Sequence, residues 1–213
     1  MKDKTSYRRS LPHINPLGGT YFVTFCLKDT LSQPEVARLI DKNQHNLNLL
    51  KSNPKASSLE IDILSRRQFG ELDKAIHEAK GKHYLKDDEL AEKVANAIQF
   101  WDDKRINLMA YCVMSNHVHL VLRLLEDDLD KLKVFLIQII KSIKQFSARE
   151  CNKLLGLSGA FWQPESFDRL VRDREELHRI ISYVLDNPTK AGLCQNRVDW
   201  TWNYVKEEYN EFM

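Results

Sequence analysis

The run YCVMSNHVHLVL, residues 111–122, sets two histidines one residue apart inside an apolar stretch. A buried imidazole without a partner is costly, so the pair needs an account. Side chains alternate faces along a strand. His117, His119 and Val121 then share one face, and Val118, Leu120 and Leu122 share the other. The aliphatic face can fill a core while the two imidazoles converge on one point. Imidazole is the commonest metal ligand at neutral pH, so two on one strand make half a coordination shell. Hydrogen-bonded structural histidines are the competing account of the same pattern.

Tyr183 is the second candidate. On a wheel of about 100° per residue, Leu177, Ile180, Ile181, Val184 and Leu185 form one apolar stripe. Tyr183 falls roughly 130° from the centre of that stripe. Asn187 lies one turn further on the same face. A phenol, with a pKa near about 10, attacks poorly at neutral pH unless it is activated or its target is polarised. The competing account is an aromatic ring covering the edge of the stripe.

These residues need elements to hold them. TYFVTFCL (20–27) reads as a strand. Residues 30–104 are polar, charged and helix-favouring, and two to four helices are expected there, part of them an insertion. INLMAYCVM (106–114) and VHLVLRL (118–124) read as a hairpin turning at Met114–Asn116. Residues 128–155 read as a long helix with the stripe Leu132, Phe135, Leu136, Ile139, Ile140, Ile143 and Phe146. A short strand follows at about 166–171, then a helix over 173–187 with Asp173 as N-cap and Pro188 and Gly192 as its stop. The aromatic-rich tail after residue 193 should pack back on the body. The order is βαββαβ with a trailing tyrosine-bearing helix. It implies an α+β fold: a ferredoxin-like antiparallel sheet with helices packed on it and a helical insertion between the first two strands.

Composition narrows the class. The 213 residues suit one domain, and a hydrophobic content of 43% with 29% charged residues fits a globular chain. Lys+Arg 32 against Asp+Glu 30 leaves a net charge of +2, so any basic surface must be local. The four cysteines are scattered without a C-x-x-C pair, which argues against a zinc ribbon or a disulfide scaffold. The opening MKDKTSYRRSLPH has no apolar signal region, and no run approaches the ~18 apolar residues of a membrane span. The expectation is a cytoplasmic protein with no membrane contact.

AYCVMSNHVHLVL resembles the histidine-hydrophobic-histidine strand of the HUH single-strand DNA endonucleases. RRSLPHINPLGGTYFVTFCL, KSIKQFSARECNKLLGLSGAFWQPESFDRLVRDREEL and YVLDNPTKAGL narrow the resemblance to the REP-associated tyrosine transposases, a bacterial branch of the single-tyrosine HUH transposases. The matching pieces cover residues 8–26 and 105–193 in the family's order. Cys26 stands where the family pattern leads one to expect a basic residue. Residues 28–104 carry little resemblance, so no functional residue is transferred there.

The resemblance implies a single HUH-type domain, with an insertion at about 30–104 and a tail at about 193–213. It implies a metal-dependent endonuclease and strand transferase for single-stranded, hairpin-forming repeat DNA, acting near the nucleoid. Tyr183 would attack a phosphodiester to give a 5′-phosphotyrosine and a free 3′-OH. His117, His119 and Asn187 would hold the metal, and mixed nitrogen and oxygen ligation suits Mg2+ or Mn2+. Arg8, Arg9 and His13 would belong to a DNA-reading surface. Lys141, Lys144 and Arg149 on the long helix are further DNA-contact candidates, or else a solvated face, with Arg169 and Arg172 beside them. Trp162 could stack on a base or pack in the core. A monomer and a homodimer are both compatible. Two other readings stand: a hairpin-binding module with little catalysis, and an unrelated metal phosphoesterase.

Overall fold

The structure is a computed structural model that describes residues 6–8, 12–14, 18–52, 57–125 and 135–213. Arg9 and Leu132 lie outside the described residues. The first hairpin pairs β1 (Ser6–Arg8) with β2 (Pro12–Ile14), setting Tyr7 opposite His13 and Arg8 opposite Pro12. The N-terminal tail expected from sequence therefore contains a small two-stranded ribbon.

The main sheet is built from β3 (Thr20–Cys26), β4 (Ile106–Val113), β5 (His117–Leu124), β6 (Phe167–Val171) and β7 (Asn203–Val205). Its order is β6-β3-β5-β4-β7, and every pairing is antiparallel. The first four strands give the ferredoxin-like arrangement expected from βαββαβ. The fifth was not expected: the tail does not merely pack back but adds Asn203–Val205 to the edge of β4. Three residues of strand are too few to stand out from the aromatic context of that tail.

The helices are α1 (Gln33–Lys51), α2 (Ser58–Glu78), α3 (Asp88–Gln99), α4 (Leu136–Leu155) and α5 (Arg174–Lys190). α3 and α4 cover one face of the sheet. Val118, Leu120, Leu122 and Leu124 of β5 meet Leu90, Val94, Ile98, Ile139, Ile140 and Ile143 there. α5 covers the other face, where Ile180, Ile181, Val184 and Leu185 pack on Phe22, Ala110, Cys112 and Val121. α2 joins α5 on that second face through Leu72 and Ile76, packed with Cys26 and Phe167, and through Phe69, whose ring is 4.6 Å from that of Phe22.

Two boundaries and one core position differ from expectation. α4 begins at Leu136 after an extended Phe135, and residues 126–134 lie outside the described set. Phe146 is 44% exposed, and Ser147 takes its place in the buried stripe with its hydroxyl bonded back to Ile143 O at 2.7 Å. The reason is phase: from Ile143 the next inward position is four residues on, and a further four gives buried Cys151. α5 runs through Pro188 to Lys190 instead of stopping at it. Proline removes one N–H, and the last turn closes without it through Ala191 N to Asn187 O and Leu193 N to Pro188 O, both 2.9 Å. Gly192, at φ 69°, then ends the run.

Candidate active site

β5 projects His117 and His119 onto the α2/α5 face. Their Nε2 atoms are 3.0 Å apart and both residues are buried. The neighbours that share this face on the flanking strands follow from register: Thr24 and Cys112 lie opposite His119, and Cys26 lies opposite His117. Thr24 Oγ1 is hydrogen-bonded to His119 Nδ1 at 2.8 Å. Asn116 Nδ2 donates to Ile76 O at 3.0 Å, which fixes the amide and turns Oδ1 toward His117. His117 Nδ1 donates to that oxygen at 2.7 Å. The tautomer follows: His117 Nε2 presents a bare lone pair to the centre of the site, the arrangement a metal-binding imidazole needs. Burial, together with the neighbouring His119 and His77 rings, pushes the His117 pKa well below its ordinary range. His117 is therefore neutral at physiological pH.

α5 brings Tyr183 to the same place. Its ring is 6.0 Å from that of His119 and 6.1 Å from that of Phe22. Asn187, one turn on, is buried, with Nδ2 donating to Tyr183 O at 2.9 Å. The four residues picked from sequence for catalysis and metal binding thus converge from β5 and α5.

Two more residues enter from α2, in the segment where sequence supported no functional residue. Asp73 is buried, and its Oδ1 is 3.1 Å from His119 Nε2. Tyr183 Oη donates to Asp73 Oδ2. His77, one turn along α2, has Nδ1 3.0 Å from Asp73 O and 3.4 Å from Asp73 Oδ2. Burial opposes the charge on Asp73, but the His119 and His77 imidazoles outweigh it and hold the carboxyl far below the usual carboxylate range. Burial likewise opposes protonation of His77, and Asp73 with Asn187 more than offsets it, so its pKa is raised. The available signal in the sequence was the i,i+4 pair in LDKAIHE, set beside the apolar positions Phe69, Leu72 and Ile76. In a charged helix such a pair looks like an ordinary solvated ladder.

The donor set fits a divalent cation. Ligand atoms of Asp73, His77 and His117 all lie within 4.8 Å of one another. Two imidazole nitrogens face each other, and Asp73 Oδ1 is a buried carboxylate oxygen with no aligned hydrogen bond. Leaving such a group bare costs about 1–3 kcal/mol or more, and a cation among these atoms relieves it.

The DNA-contact candidates are dispersed. Lys141, Lys144 and Arg149 sit on α4, on the sheet face opposite the histidines. Lys144 Nζ donates to Gln163 O at 2.6 Å, Pro164 O at 3.1 Å and Ser166 Oγ at 3.1 Å, so it holds the 163–166 loop. Lys141 is exposed, and Arg149 pairs with Glu150 at 2.8 Å. Arg169 is closer to the site. It donates to buried Glu176 at 2.6 Å and lines, with Phe22, Phe69, Arg179 and Tyr183, a cleft of about 270 Å³. Arg172 is exposed, and its backbone N–H donates to Glu176. Trp162 is a core residue, its ring against Phe25 and its Nε1 donating to Ser147 Oγ at 3.0 Å. A second cleft on the far side of Tyr183 is lined by Arg179, Ser182, Asp186, Lys190 and Phe212.

Residues 75–187, just over half of the chain, match the family described as "Transposase IS200 like". The chain belongs to that family. The matched span contains His77, His117, His119, Tyr183 and Asn187, and it begins two residues after Asp73. A putative REP-associated tyrosine transposase of Haemophilus influenzae is 28% identical over 102 residues, which cover 45% of this chain and 56% of that protein. The match thus spans about half of that relative's length. Among solved structures, a REP-associated tyrosine transposase bound to a REP hairpin superposes with a TM-score of 0.51 at 18% identity, covering 92% of this chain and 80% of that one. That likeness carries the fold, and the five-stranded antiparallel sheet with packed helices agrees with it.

Proposed function

We propose that this IS200-like transposase is a metal-dependent nickase and strand transferase for single-stranded, hairpin-forming DNA, organised as one HUH-type domain with a helical insertion. The observation that carries the reading is the convergence of Tyr183 of α5 with His117 and His119 of β5 in one buried site, inside the span that matches the family. A divalent cation such as Mg2+ or Mn2+ held by His117 and His119 supplies Lewis-acid polarisation of the scissile phosphate. Asn187 is the further ligand that the HUH resemblance suggests.

The chain's own residues do the rest. Tyr183 Oη forms the new bond to phosphorus as the bond to the 3′-oxygen breaks, leaving a 5′-phosphotyrosine and, once the phenol proton reaches the leaving oxygen, a 3′-OH. The phosphodiester bond energy is kept in the tyrosine linkage, so the 3′-OH of another strand can reverse the step. Phe22, Phe69 and the α5 stripe wall the site from water, which strengthens its electrostatics. Arg179 and Lys190 flank Tyr183, Lys190 Nζ lying 4.7 Å from the ring centre, and offer cations to an approaching backbone.

The test is a denaturing gel of wild-type protein incubated with Mg2+ or Mn2+ and a hairpin substrate with single-stranded flanks. A protein–DNA adduct mapping to the segment Ile181–Asn187 is expected. Bound but uncut DNA would favour a binding module, and cleavage without an adduct would favour a phosphoesterase.

A further inference from the structure

On the second face of the sheet, α5 covers Ala110, Cys112 and Val121. α2 adds something different. It is anchored by Phe69, Leu72 and Ile76, and between these apolar contacts it lowers one carboxylate, Asp73, into the space between His119 and Tyr183. The two oxygens of that carboxylate have different surroundings. Oδ2 accepts the Tyr183 phenol. Oδ1 faces the two histidine Nε2 atoms, 3.1 Å from that of His119, and has no aligned donor. His117 Nε2 presents a lone pair to the same space, because Asn116 takes its Nδ1 proton. Two lone-pair donors and an ionised oxygen packed together in a buried site repel one another unless a proton or a cation lies among them.

We propose that Asp73 is a ligand of the metal centre through Oδ1 while its Oδ2 holds the nucleophile's phenol, so that the inserted helix completes the active site. The inference rests on the metal-dependent reading above. It adds a residue from outside the family-matched span. His77 acts through Asp73: its Nδ1, against the Asp73 carbonyl and carboxylate, keeps the side chain from turning away. Thr24 plays the matching part for His119, since a hydroxyl can accept from Nδ1–H and so free Nε2 as a ligand. A mixed nitrogen and carboxylate set of this kind suits Mn2+.

The experiment measures metal binding without DNA. Mn2+ titrations by calorimetry would compare wild type, Asp73→Asn, Asp73→Ala, His117→Ala and, as a control on the exposed face of α2, Lys74→Ala. Expected are a loss of affinity of at least about tenfold in both Asp73 variants, near-complete loss in His117→Ala and none in Lys74→Ala. Wild-type protein loaded with Fe2+ and treated with ascorbate and peroxide gives a reading that needs no variant. Backbone cuts are expected in α2 around residues 73–77 as well as around 117–119. Asp73 variants that bind Mn2+ within twofold of wild type would overturn the proposal. So would the absence of cuts in α2, which decides the matter if the variants fail to fold. Either result, with adduct formation intact, removes Asp73 alone. A wild-type protein that binds no Mn2+ and forms no adduct removes the underlying reading as well.

Discussion

The two faces of the central sheet are built from the same strands and do opposite things. Toward α3 and α4, β5 sends Val118, Leu120, Leu122 and Leu124 into a core of aliphatic side chains. Toward α2 and α5, the intervening positions are His117 and His119, enclosed with Asp73 and Asn187 although all four are buried. One face gains stability by removing hydrocarbon from water. The other spends part of that gain on polar groups that satisfy one another only through their mutual geometry. A strand can serve both faces because its side chains alternate, so neither set disturbs the other.

The contrast is broken most completely at the nucleophile. Tyr183→Phe should abolish the covalent adduct while hairpin binding persists, read by denaturing gel and by a binding assay. It also strips a buried carboxylate oxygen of its donor, so thermal unfolding should show a cost of about 1–3 kcal/mol. His119→Ala should likewise remove cleavage. On the opposite face, Leu120→Ala should cost about 2–5 kcal/mol in urea unfolding and leave the chemistry of the folded fraction intact. Loss of adduct per folded molecule in Leu120→Ala would mean that the two faces are coupled.

A pH series separates the faces more finely. Asp73 is held below its ordinary pKa by His119 and His77, although burial works the other way. The stability that its ionised form contributes is complete above its unfolded value of about 4 and drains as pH falls toward the much lower folded value. Urea midpoints of wild type should therefore fall between about pH 4 and pH 2 more steeply than those of Asp73→Asn, whereas Leu120→Ala should keep the wild-type slope.

The smallest expected effect concerns the seal around both faces. Burial pushes the Cys26 and Cys151 thiols up to about 12 and drives Cys112 well above its ordinary value. Cys26 and Cys112 flank the histidines, and Cys151 sits on the buried face of α4. Iodoacetamide at pH 8 should modify the half-buried Cys194 first, as read by peptide mass spectrometry. Early labelling of Cys112 alone would show that the histidine face opens more readily than the hydrocarbon face.

Several features were legible from local pattern. Alternation in VHLVLRL assigned His117 and His119 to one face, and the 3.6-residue period of α5 put Tyr183 off the apolar stripe and Asn187 on its side. Asp173 was visible as the N-cap and accepts from Glu176 N at 2.7 Å. The carboxylate of Glu176 itself accepts from Arg169 and from the Arg172 backbone. Lys141 and Lys144 were read either as DNA contacts or as a solvated helix face. The structure sets them across the sheet from Tyr183 and gives Lys144 to the 163–166 loop.

Sequence alone determined which residues share a strand face or a helix face, because those periods are set by the backbone within a few residues. It determined the βαββαβ order and, from that, the antiparallel sheet. Tertiary structure alone decided that Asp73 and His77 belong to the site, that α4 and its lysines lie on the far face, and that the tail supplies β7. Each of these depends on packing between segments far apart in the chain. The docking of α2 through Phe69, Leu72 and Ile76 is such a case: nothing within LDKAIHE records which surface will receive it.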